Sequence, residues 1–121
     1  MKRTLVIGAS TNPERYSFKA ANLLLKHGHE VELYGIKNGE ILGNKFITDL
    51  TVLPKNEIDT VTLYVGPQNQ EQWTDFILKV NPKRIIFNPG TENVDLWNIA
   101  SKAGIFCEEA CTLVLLNSNQ Y

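Results

Sequence analysis

The chain has 121 residues, 43% of them hydrophobic and 21% charged, and a formal net charge of −1. That length suits a single domain spanning 1–121, able to bury a core of its own without disulfide staples. The balanced charge speaks against a nucleic-acid or membrane-surface partner, since both ordinarily require a basic excess.

The opening MKRTLVIGAS carries a basic pair and then a short apolar run that stops at a loop glycine rather than at a cleavage site. It reads as a first core strand, not a signal peptide, and no segment reaches the apolar length of a membrane helix. A cytoplasmic location is the expectation. Thr4 to Ser10 is an apolar run of strand length, as in a strand buried on both faces. A polar loop with Asn12-Pro13 follows. Phe18, Ala21, Leu24 and Leu25 then share one helical face, with Ser17 expected as the N-cap and Gly28 closing the helix. Glu30 to Lys37 is rich in β-formers and makes a second strand.

The stretch from Asn38 to Pro54 is the least regular. It opens on an Asn-Gly turn and holds one short strand near Lys45 to Ile47. Asp59 to Pro67 is a further buried strand. Trp73, Phe76, Ile77 and Val80 fall at i, i+3, i+4 and i+7, the cleanest helical stripe in the chain. RIIFNPG makes another strand, and Leu96, Ile99, Ala100 and Ala103 mark a helix ended by Gly104. IFCEEA is a last short strand, and CTLVLLNSNQY is compatible with either helix or strand. Strands alternating with helices of ten to a dozen residues predict βαβ units. The expected fold is α/β: a doubly wound, mostly parallel sheet with helices on both faces, Rossmann-like in architecture.

The glycine-bearing strand ends all fall on one edge of such a sheet: Gly8-Ala9-Ser10, Gly35-Ile36-Lys37, Val65-Gly66-Pro67 and Asn88-Pro89-Gly90-Thr91. That is the carboxyl edge, where doubly wound sheets bind ligands. The opposite edge carries the plainer KHGHE, NEID, NPKR and SKAG. In the first loop Gly8 permits a tight turn, Ser10 and Ser17 offer hydroxyls, and the start of the helix favours an anion. The dinucleotide spacing G-x-G-x-x-G is absent. An NAD site also needs an acid at the end of the second strand, where this chain has Lys37, a cation suited to a phosphate ester. A ribose-phosphorylated nucleotide, NADP or coenzyme A, remains. Cys107 and Cys111 match neither a redox pair nor a metal set and read as two buried thiols. His27 and His29 read as solvated turn residues far from the crevice.

The VIGASTNPERYS loop, DTVTLYVGP, IIFNPGTEN and EACTLVLL together resemble the small stand-alone coenzyme A-binding proteins, whose fold is similar to the coenzyme A-binding domain of the succinyl-CoA synthetase alpha subunit. The resemblance covers nearly the whole chain. It implies that Gly8, Ala9, Ser10 and Ser17 face a pyrophosphate, and that Gly35, Ile36 and Lys37 lie against the adenosine and its ribose phosphate. Val65, Gly66 and Pro67 are then expected along the adenine-ribose side, and Asn88, Pro89, Gly90 and Thr91 beside the pantetheine path. It also favours a helix for the last segment. Relatives often have Val-Asn-Pro after strand two, where this chain has Gly35-Ile36-Lys37-Asn38. The implied function is non-catalytic binding of coenzyme A, free or acylated, because the phosphohistidine domain of succinyl-CoA synthetase has no counterpart here. An NADP-dependent enzyme and an accessory interaction subunit stay open as alternatives, as does a homo-oligomer.

Overall fold

The computed structural model describes residues 2–35 and 37–121. Five strands form one parallel sheet in the order β2-β1-β5-β6-β7, where β1 is Arg3–Ile7, β2 Glu30–Tyr34, β5 Thr60–Leu63, β6 Arg84–Phe87 and β7 Phe106–Glu109. Register runs straight across the centre: Val6 lies beside Thr62 and Leu33, and Leu63 beside both Ile7 and Phe87. Helices α1 (Tyr16–Lys26), α2 (Glu71–Val80), α3 (Val94–Lys102) and α4 (Thr112–Asn117) complete the α/β, Rossmann-like fold expected from the alternation of patterns.

Alternation of side chains along the strands produces two cores. Leu5, Ile7, Val61, Leu63, Ile85 and Phe87 point to one face and pack against Ile77 and Val80 of α2 and Leu96 and Ala100 of α3. Val6, Val31 and Leu33 point the other way, onto Ala21 and Leu24 of α1 and Leu116 of α4. Each of these side chains larger than alanine contributes roughly 1.5–3 kcal/mol by leaving water. The stripe read for α2 holds, with Trp73 and Phe76 partly buried on the same core. In α3 only Leu96 and Ala100 are buried. Ile99 is 45% exposed and Ala103 lies past the last turn, because α3 offers the sheet a narrower face than four apolar residues suggest.

Three other boundaries move. Helix α1 begins one residue before Ser17, so the N-cap position belongs to Arg15 and Ser17 is buried in the first turn. The irregular segment holds a two-stranded hairpin, β3 (Glu40–Ile41) with β4 (Asn44–Lys45), and Ile47 then bridges Tyr34 in parallel. That bridge covers the otherwise open edge of β2. The ambiguous last segment forms α4, and its chain continues to Tyr121, whose ring packs under the guanidinium of Arg84, 4.5 Å from the ring centre. Among the described residues no helix is long and apolar enough to cross a membrane.

Candidate functional site

At the end of β1 the chain turns on Gly8, whose φ is +97°, and a Cβ there would stand 2.9 Å from the Tyr64 carbonyl oxygen. Only glycine occupies that conformation without strain while packed so closely. The amides of Gly8 and Ala9 both donate to the Tyr34 carbonyl at 2.9 Å. They therefore shape the bend and are not free donors for a ligand. Gly35 supports the bend from below, since a Cβ at that position would lie 2.4 Å from the Ala9 oxygen.

Beyond the bend the loop braces itself. The Asn12 amide donates to Ser10 Oγ at 3.1 Å, the Glu14 amide to Asn12 Oδ1 at 3.0 Å, and the Arg15 amide to the Asn12 carbonyl at 3.0 Å. The first amides of α1, those of Tyr16, Ser17 and Phe18, have no acceptor among the described residues. They are the unsatisfied donors at the positive end of a helix of eleven residues.

The glycine bend and the first residues of α1 line a crevice of about 570 Å³ at the carboxyl edge of the sheet, within the usual range for small-molecule sites. The structure brings Gly8, Ala9, Ser10, Ser17 and Lys37 to it, together with Val65, Gly66, Pro89, Gly90 and Thr91. Gly35 sits under the loop rather than on the lining, and Pro67 is exposed at the start of a 3-10 turn over Pro67–Asn69. Ile36 falls outside the described residues.

Asn88 departs from its expected position beside a ligand, because its side chain is committed within the protein. Its amide nitrogen donates to Thr62 Oγ1 at 2.7 Å and to the Leu63 carbonyl at 2.8 Å, and its oxygen accepts from the amide and hydroxyl of Thr112, each at 2.9 Å. It joins the end of β6 to the start of α4. The Tyr64 hydroxyl is buried next to this group with no hydrogen-bond partner among the described residues, and burial pushes its pKa up to about 12.

The sequence reading missed several contributors. Arg15 and Tyr16 line the crevice immediately before Ser17, and placing the helix start at Ser17 had assigned them to the loop. Asn38 and Phe46 arrive from the irregular segment after β2. Among the described residues neither Arg15 nor Lys37 is in an ion pair; the salt bridges present join Arg3 to Glu32 and Glu57, and Arg84 to Glu108. Gln70, fully buried, donates to the carbonyls of Val65 at 3.0 Å and Thr91 at 2.7 Å, which ties the strand ends of β5 and β6 into one wall.

Other candidates lie elsewhere. Cys107 is buried, and burial raises its thiol pKa, whereas Cys111 is only half-buried, contrary to the reading of both as core thiols. His27 is exposed at the opposite edge. His29 is not a solvated turn residue: its Nδ1 accepts from the Lys2 amide at 2.9 Å, its ring lies 5.1 Å from that of Tyr121, and burial lowers its pKa.

A parallel sheet of this order, with a glycine bend and a crevice at its carboxyl edge, defines a Rossmann-like α/β binding domain. The chain belongs to the CoA binding domain family, whose pattern it matches over residues 2–117. A crystal structure of an uncharacterised protein is similar at 46% identity and a TM-score of 0.95, with 100% of this chain and 98% of that one covered. A hypothetical protein from Pyrococcus horikoshii OT3 is similar at 29% identity and a TM-score of 0.82, covering 98% of this chain and 82% of its own. The fold, at 19% identity and a TM-score of 0.72, is also found in the apo dinucleotide forming acetyl-coenzyme A synthetase 1 of Ca. Korarchaeum cryptofilum, where 88% of this chain matches 25% of that one. Comparison with curated protein sequences gives no match.

Proposed function

We propose that the protein binds coenzyme A or an acyl-CoA in the carboxyl-edge crevice and catalyses no reaction of its own. The observation that carries this reading is the meeting at one crevice, in a member of the CoA binding domain family, of Arg15 and Lys37, in no ion pair among the described residues, with the free helix amides of Tyr16 and Ser17. In this reading Ser10, Ser17, Arg15 and the α1 amides take the pyrophosphate. Lys37 takes the ribose 3′-phosphate, Val65 and Gly66 border the adenine-ribose half, and Pro89, Gly90 and Thr91 border the pantetheine. Gly8 and Ala9 contribute shape rather than hydrogen bonds.

Hydrogen bonds to charged groups are worth about 1.5–3 kcal/mol each. Three or four of them, less the cost of ordering a long flexible ligand, are consistent with micromolar affinity, about −8 kcal/mol. The non-catalytic assignment is supported by the hydroxyls on the lining, since none of Ser10, Thr11, Tyr16, Ser17 and Tyr64 is hydrogen-bonded among the described residues to a histidine or carboxylate that would activate it.

The test is thermal denaturation with coenzyme A, acetyl-CoA, NADP and NAD in parallel. Stabilisation follows RT ln(1 + [L]/Kd), about 2.7 kcal/mol at a hundredfold excess over Kd. Coenzyme A or its acetyl ester is expected to give the largest shift. A larger shift with NADP, or no shift with any of the four, refutes the proposal.

A further inference from the structure

Tyr16 is an aromatic ring that the fold leaves unused. It is the first residue of α1 and 68% exposed, and it belongs to neither core cluster. Its hydroxyl has no hydrogen-bond partner among the described residues, and its one close aromatic contact is the Lys19 ammonium, 5.5 Å from the ring centre. A single exposed tyrosine is ordinary on a protein surface. This one lines the crevice, beside the free α1 amides and Arg15 in sequence, and Phe46 and Val65 line the same crevice.

We infer that Tyr16 closes the mouth of the crevice over the organic part of the ligand adjoining its phosphates, and so distinguishes an organic diphosphate from inorganic pyrophosphate. The inference rests on the binding reading above. Arg15, Lys37 and the helix amides attract any polyphosphate of suitable size, because they recognise only negative charge and oxygen acceptors. An aromatic face has nothing to offer an inorganic anion. It gains when an apolar or heteroaromatic group covers it, by surface removed from water and by stacking.

The position suits that task. An exposed side chain changes rotamer in picoseconds to nanoseconds, so closing requires no backbone movement. Lys19, one turn further along the same helix, holds its charge near the ring and favours orientations in which the remaining surface faces a guest. The organic part could be the adenosine half or the pantetheine half of coenzyme A. Both present surface a phenol ring can cover, and the ligand panel below separates them.

The experiment is calorimetric titration of the wild type, Tyr16→Ala and Tyr16→Phe with coenzyme A, adenosine 3′,5′-bisphosphate, 4′-phosphopantetheine and inorganic pyrophosphate. Tyr16→Ala is expected to weaken coenzyme A about tenfold, toward the low end of the range for losing one aromatic stacking partner. It should weaken one of the two half-ligands by a similar factor, which names the half that the ring covers, and leave pyrophosphate within twofold. Tyr16→Phe should bind as the wild type does. Melting temperatures of the free variants should match, since the ring is outside both cores. Unchanged coenzyme A affinity in Tyr16→Ala overturns the inference while leaving the binding reading intact, as does equal weakening of coenzyme A and pyrophosphate. If the wild type does not bind coenzyme A, the binding reading fails and takes this inference with it.

Discussion

Replacing Asn88 by alanine should destabilise the domain far more than one surface-loop residue ordinarily does. Asn88 is 3% exposed, and Thr62 and Thr112, which it joins, are wholly buried. Four hydrogen bonds between 2.7 and 2.9 Å end on its side chain. In the alanine variant the hydroxyls of Thr62 and Thr112, 2.8 Å apart, can still satisfy each other. The Thr112 amide and the Leu63 carbonyl lose the partner that Asn88 gave them. An orphaned buried group costs about 1–3 kcal/mol, so the expected loss is about 3 kcal/mol, a large part of a total stability of roughly 5–15 kcal/mol. The melting point should fall by about 12 °C for a domain of this size.

Urea denaturation of wild type and variant measures the loss directly, with the slope m unchanged if only stability has altered. Amide exchange should localise it, with faster exchange over 112–117 and unchanged protection in α2. Asn88→Asp keeps the acceptor but aims an oxygen at the Leu63 carbonyl, and should be at least as damaging at neutral pH. A loss below about 1 kcal/mol in Asn88→Ala would show that these hydrogen bonds are replaced on truncation, and the account of α4 anchoring would be wrong.

Lys37→Glu should weaken coenzyme A about tenfold and its analogue lacking the 3′-phosphate less than twofold, the low end for a solvent-exposed charged contact; titration of both ligands checks this, and equal weakening removes Lys37 from the 3′-phosphate. Ser10→Asp places negative charge at the loop and should weaken both ligands alike in the same titration, whereas unchanged affinity would move the phosphates elsewhere. Gly35→Ala drives a methyl into the Ala9 carbonyl, 2.4 Å from the new carbon, and should destabilise by about 1–3 kcal/mol in urea. Burial lowers the pKa of folded His29 below its usual value near 6.5, so the unfolded chain takes up the proton first as pH falls. The stability tied to neutral His29 is therefore present above about pH 6.5 and lost below it. Denaturation curves between pH 7.5 and 5 should show a slope that is reduced in His29→Gln.

The fold was legible because each β-run, glycine stop and helical stripe is local. IIF and LVI are apolar throughout, as expected of strands covered on both faces. What pattern could not resolve was set by tertiary contact. The hairpin at Glu40–Lys45 owes its position to the exposed edge of β2, and α4 forms on an apolar stretch too short to choose its own period. The crevice divides the same way. Glycine endings pointed to the right edge, because a bend leaves its mark in residue type. The commitments of Asn88 and Gln70 depend on partners more than twenty residues away, Thr112 for one and Thr91 for the other, and no local spacing reveals them. The one-residue error at the start of α1 had a larger effect, since it hid Arg15 and Tyr16 behind a serine that resembled a cap but is buried in the first turn.

The Tyr34 carbonyl, by holding two consecutive amides, gives the neighbouring turn its shape before any guest arrives. A cradle already in its final form need not surrender loop entropy on occupancy, so the guest forfeits chiefly its own freedom. Empty and filled states should then superpose within about 1 Å along the backbone from Gly8 to Phe18, with the rate of capture set by diffusion and charge rather than by rearrangement.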